Sequence, residues 1–87
     1  MERVIYKYKV GEKIENCEKI LCVDMQGDDM YVWAIVCPNS KKGKTVTTYI
    51  QGTGWPLDDV TDYEHYIGTV QCGIYVWHVF WTEFNGM

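Results

Sequence analysis

The residues that could do chemistry in this chain are few. Gly52, Thr53 and Gly54 form a short glycine-rich stretch, followed at once by Trp55 and Pro56. Successive backbone N–H groups in such a turn can make a nest for an anion, and an indole beside them is a platform for a flat ring. The stretch is neither G-x-G-x-x-G nor a P-loop, and two glycines also suit a tight turn with positive φ. His78 sits mid-strand among apolar residues, where imidazole chemistry allows a base or ligand role, but a satisfied core or interface histidine is the expected reading. His65 follows Glu64 and reads as exposed.

The other chemistries fail on spacing. Cys17, Cys22, Cys37 and Cys72 contain no C-x-x-C pair and no Cys–His pair of zinc-ligand type. They read as reduced thiols packed as small hydrophobes, with no disulfide. Asp58, Asp59, Asp62 and Glu64 lack the alternate ligands and central glycine of an EF-hand, so they read as a solvated acidic loop or a contact face for a basic partner. Ser40 is the only serine and has no nucleophile-elbow context. The sequence therefore predicts no enzyme, no metal and no cofactor.

These groups must be positioned by a small domain. The chain has 87 residues, 47% of them hydrophobic and 15% aromatic, too apolar for disorder and long enough for one domain over residues 1–87. The longest apolar run is the eight residues 30–37, far short of the ~20 that a spanning helix needs. The start, MERVIYKYKV, has no apolar signal region, so a cytoplasm is the expected compartment. All eight basic residues lie in positions 1–44 with seven acids, a balance of +1, and positions 45–87 hold five acids and no Lys or Arg, a balance of -5. Nucleic-acid binders line a face with cations, and this distribution argues against one.

Period-two patterning predicts strands over residues 3–10, 18–25, 30–37, 45–51, 66–71 and 74–82. In the first, Val4, Tyr6, Tyr8 and Val10 share a side, and the lysines opposite suit a sheet edge. Residues 11–16 read as a loop or a helical turn, and residues 57–65 as an acidic loop with a helical turn begun by Asp58 or Asp59. The last two strands flank Cys72 and Gly73, with glycine expected at the second turn position. The fold class is all-β: a small antiparallel barrel or sandwich of about six strands, with the acidic loop or helical turn before the last hairpin. The strands at residues 31–37 and 74–81 are apolar on both faces, so a second sheet, a ligand or another subunit must cover one of them. A homo-oligomer, a dimer at least, is expected.

Residues 19–38 (KILCVDMQGDDMYVWAIVCP), 50–57 (IQGTGWPL) and 66–80 (YIGTVQCGIYVWHVF) resemble a small family of phage and prophage proteins known only as a domain of unknown function. The closing Y-I-G-T…W-H-V-F is the most specific part of the likeness. Trp55 stands where the family pattern has a histidine, so a role for that histidine does not carry over. The resemblance implies a phage genome, a host-cell cytoplasm and an all-β fold, and no activity. The resulting expectation is a non-enzymatic accessory protein that counters host defence by sequestering a small molecule, such as a nucleotide signal, in an aromatic pocket. Its candidate binding residues are Trp33, Tyr49, Gly52, Thr53, Gly54, Trp55, Trp77 and His78, with Arg3, Lys7 and Lys9 as the cations. The alternative is a protein-interaction module that inhibits a host defence protein through the acidic segment.

Overall fold

Alternation of apolar and polar side chains builds six strands: β1 (Val4–Lys9), β2 (Lys13–Gln26), β3 (Asp29–Val36), β4 (Lys44–Gly52), β5 (Tyr66–Cys72) and β6 (Tyr75–Glu83). A 3-10 turn, Tyr63–His65, precedes β5. This is a computed structural model, and it describes residues 2–39, 43–57 and 63–84. The expected helical turn at Asp58 or Asp59 lies outside the described residues. Among them no helix is long and apolar enough to cross a membrane.

The strands form one antiparallel sheet in the order β1-β3-β2-β4-β6-β5. The all-β class with six strands holds, but the architecture is a single bent sheet that does not close into a barrel. β1 is an edge, as its lysines suggested, and pairs only with β3. β2 is the hinge of the sheet. Its start pairs with β4 (Ile14↔Val46) and its remainder with β3 (Cys17↔Val36 onward). The register slips between Ile14 and Cys17, between Cys17 and Lys19, and between Ile20 and Cys22. Asn16 between the first two adopts φ 55°, a left-handed conformation that asparagine tolerates better than most. Bulges of this kind bend a strand and raise its twist, and here they fold one half of the sheet over the other. Gly68 of β5 then faces Val23 of β2, where an added Cβ would lie 3.0 Å from the valine methyl.

The core lies inside this bend. Ile14, Cys17, Val32, Ala34, Val36, Val46 and Val79 are buried together, with Tyr8, Ile20, Val23, Ile50 and Trp81 packed around them. Thr48 is the buried polar residue among those described, and its hydroxyl accepts the Gly11 N–H at 3.0 Å. Segment 11–16, expected as a loop, therefore supplies a core residue and the start of β2. Both hairpin turns also differ from expectation, which leaves four residues (26–29) between the strands 18–25 and 30–37 and two (72–73) between the last pair. Gln26 pairs with Asp29 and Cys72 with Tyr75, so each turn has two residues, with Gly27 (φ 63°) or Gly73 (φ 62°) in first place. Glycine first is the type II′ arrangement; this puts Ile74 in the turn instead of in β6.

The four thiols are free and differ in burial: Cys17 and Cys37 are buried, Cys72 is intermediate and Cys22 is exposed on β2. Burial pushes the Cys17 thiol up from its ordinary value, with Glu18 adding to the rise and the Lys19 backbone N–H opposing it. Thiolate is the reactive form, so reaction with a disulfide reagent at neutral pH should be staged. Cys22 should react first and Cys72 more slowly, while Cys17 and Cys37 wait for unfolding. Mass mapping of the first modified thiol checks this, and early labelling of Cys17 would contradict the burial.

Candidate functional site

The bulges in β2 leave a gap in the sheet. Past Cys17, β2 follows β3 and no longer pairs with β4. Between the departing strand, the start of β4 and the ends of β5 and β6 lies an open cleft of about 580 Å³, within the usual range for small-molecule sites. Its walls are Cys17, Lys19 and Ile20 of β2, Val46 of β4, Tyr66 of β5 and Trp81 of β6, with Glu18, Gly43, Lys44 and Glu64 at the margin.

Each wall is fixed by local structure. Trp81 is clamped by the 3-10 turn: the His65 ring stacks on it at 3.6 Å and 12°, and the His65 Nδ1–H donates to the Trp81 carbonyl at 3.0 Å. Lys44 reaches the carboxylate of Glu83 (3.3 Å) and stands 6.0 Å from the Trp81 ring centroid. On the other side Arg3 bonds Glu18 at 3.4 Å. Both ion pairs are exposed, so they hold these cations weakly and leave them open to an incoming anion. Cys17 in the wall is a poor nucleophile, because burial favours its protonated thiol. Among the described residues no group of three His, Cys, Asp or Glu could hold a metal ion. Aromatic walls, an aliphatic interior and rim charges of both signs suit binding of a flat, polar-edged molecule.

The residues singled out from the sequence fall into three separate places, none of them in this cleft except through Arg3. Trp55 and Trp77 meet at the far end of the β4–β6 pair. The Trp55 N–H donates to the Gly52 carbonyl (3.1 Å) and Gly54 takes φ 87°, a turn that needs glycine in its third position. The turn lays the indole on Gly52, where an added Cβ would lie 2.6 Å from a ring carbon. Trp55 then meets Trp77 edge-on at 5.4 Å, and Trp77 stacks with Tyr75 at 5.7 Å. Trp55 is 52% exposed, so it is half platform and half cover.

Thr53 and His78 lie on the opposite face of the same strands. The Thr53 hydroxyl bonds His78 Nε2 at 2.8 Å, His78 Nδ1 bonds the Thr69 hydroxyl at 2.9 Å, and Thr69 bonds the Tyr66 hydroxyl. Both imidazole nitrogens are thus engaged by protein hydroxyls. The chain of bonds ends at the cleft, where it anchors Tyr66. Tyr49 stacks on Phe80 at 5.7 Å, and Phe80 also meets Tyr66 at 5.6 Å. Trp33 lies on the outer face of the β1–β3–β2 half, in register with Lys7 and Cys22. There Lys7 Nζ sits 4.6 Å over the Tyr31 ring and 2.8 Å from Gln26, and Lys9 bonds Asp29 at 3.4 Å. Asp58, Asp59 and Asp62 of the acidic segment lie outside the described residues.

The sequence matches one family model over residues 1–86. The chain belongs to the DUF7352 family, described as a domain of unknown function. No curated protein and no solved structure matches it. In this DUF7352 chain the sequence reading missed Lys19, Ile20, Lys44, Tyr66 and Trp81. Trp81 alone carried a signal, since it shares a strand face with Trp77 and Val79. The others come together only through the bulges of β2.

Proposed function

We propose that this DUF7352 chain is a non-enzymatic binding protein that holds a small planar molecule, of the nucleobase or nucleotide class, in the cleft beside β2. The observation that carries the reading is the cleft itself: about 580 Å³, with Trp81, Tyr66, Lys19 and Lys44 among the residues that line it. Stacking on an aromatic wall is sequence-tolerant and worth ~1–3 kcal/mol per base, and a rim lysine supplies a point charge for phosphate. The likeness of residues 66–80 to phage and prophage proteins supports a biological setting: a phage-encoded accessory protein that sequesters a host nucleotide signal in the host cytoplasm and so blunts defence.

Native mass spectrometry of chain purified from expressing cells should show a bound small molecule. Titration with AMP, GMP and a cyclic dinucleotide, followed by tryptophan fluorescence, should give saturable binding to at least one. Lys44→Glu should weaken that binding about tenfold, ~1.4 kcal/mol, with an unchanged fold. Trp55→Ala should leave it in place. No bound mass together with no saturable change would reject ligand binding. Loss on Trp55→Ala with retention on Lys44→Glu would move the site to the turn.

A further inference from the structure

The far end of the β4–β6 pair has a feature the ligand reading does not use. No Lys, Arg, Asp or Glu occurs in residues 45–57 or in residues 66–82. Ile74 is 89% exposed in its turn, and Tyr75 is 58% exposed beside it. Tyr75, Trp77 and Trp55 make a continuous row of rings, and Leu57 beyond Pro56 is exposed as well. An exposed isoleucine at a hairpin tip contributes almost nothing to the fold of one chain. A contiguous apolar patch of this kind marks an interaction surface.

We infer that this patch is the interface of a two-fold homodimer, its occupant being the same patch of a second copy of the chain. A two-fold axis sets a surface against itself, so each charge at its centre meets its own like. Among the described residues this patch carries no charge and escapes that penalty. The other apolar face does not: Trp33 and Ile35 share it with Lys7, Lys9 and Lys19. The same lack of charge disfavours other occupants. A membrane-surface patch draws on Lys or Arg for anionic headgroups, and a charged protein would find no counter-charge here. Aromatic residues with a charge-depleted centre are the composition of interface cores. The pairing leaves the cleft open, because Lys19, Lys44 and Trp81 lie at the other end of β4 and β6.

Light scattering of the purified chain at micromolar concentration tests the assignment. The expected mass is about 20 kDa, twice the 10.2 kDa of one chain. Ile74→Lys and Tyr75→Lys, each at an exposed position, should reduce it to the single-chain value with circular dichroism unchanged. Ile5→Lys, on the other face, should leave the dimer intact. A wild-type mass near 10.2 kDa would overturn the proposal, whether or not the chain floats with phosphatidylcholine vesicles. A dimer that survives both Ile74→Lys and Tyr75→Lys, or one broken only by Ile5→Lys, would overturn it too.

Discussion

Gly43→Ala should be among the most destabilising single substitutions in this chain. An added Cβ at Gly43 would run into the Asn16 carbonyl carbon, and would lie 2.6 Å from its oxygen and 2.7 Å from the Cys17 nitrogen. All three are backbone atoms, so no rotamer change can relieve the contact. The backbone there is also committed elsewhere. The Asn16 carbonyl accepts the Cys37 N–H at 3.1 Å, Cys17 pairs with Lys44, and Asn16 already holds φ 55°. Overpacking a site that can relax costs ~1–3 kcal/mol. A backbone-on-backbone contact belongs at or above the top of that range, so ~3 kcal/mol is expected. For a domain of this size each kcal/mol shifts the midpoint by ~4–8 °C, so Tm should fall by roughly 12–24 °C. Gly27→Ala is the control. Gly27 has φ 63° but no heavy atom within 4 Å of an added Cβ, so only the conformational cost of ~1–2 kcal/mol remains. Equal melting temperatures for the two variants would show that the chain does not pass so close to Asn16. Gly43 also borders the cleft, so if the proposed ligand binding holds, Gly43→Ala should weaken it at temperatures where the fold survives.

What the sequence revealed and what it hid follow one rule. Local alternation was legible and non-local placement was not. The β5–β6 hairpin could be read because two apolar runs flank a glycine, and only the turn was misplaced by one residue, since either central position can require positive φ. The start of β2 is hidden because Asn16 and the register slip between Ile14 and Cys17 break the period-two pattern. Trp55 and Trp77 meet, but Trp33, Tyr49 and His78 do not join them, for a related reason. Adjacent residues of a strand point to opposite faces, so Trp77 and His78 could never line one surface. That Gly52 stands opposite Trp77 depends on β4 lying beside β6, a pairing across an intervening segment that no local pattern encodes. The cleft is wholly non-local: it exists because β2 changes partners partway along its length.

Ile14→Ala should show what the hidden start of β2 contributes. Ile14 is 0% exposed, stands in register with Val46 and belongs to the cluster that includes Val32, Ala34, Val36 and Val79. Its neighbours Lys13 and Glu15 are exposed, so the strand offers a single side chain to the core at that point. Truncating a buried isoleucine to alanine costs ~2–5 kcal/mol, and the cost rises with the volume left unfilled. Collapse is limited here because the facing valines sit on hydrogen-bonded strands of β3, β4 and β6. A loss of ~3–4 kcal/mol is therefore expected, a large part of the ~5–15 kcal/mol typical of a folded domain. Ile14→Val removes one methylene and should cost ~0.5–1.5 kcal/mol, while Glu15→Ala, at the exposed neighbouring position, should stay within about 0.5 kcal/mol of the parent. Urea midpoints of the three variants give the order directly. If Ile14→Ala cost no more than Glu15→Ala, segment 11–16 would be the loop that its polar residues suggest, and the bend of β2 that opens the cleft would lose its anchor.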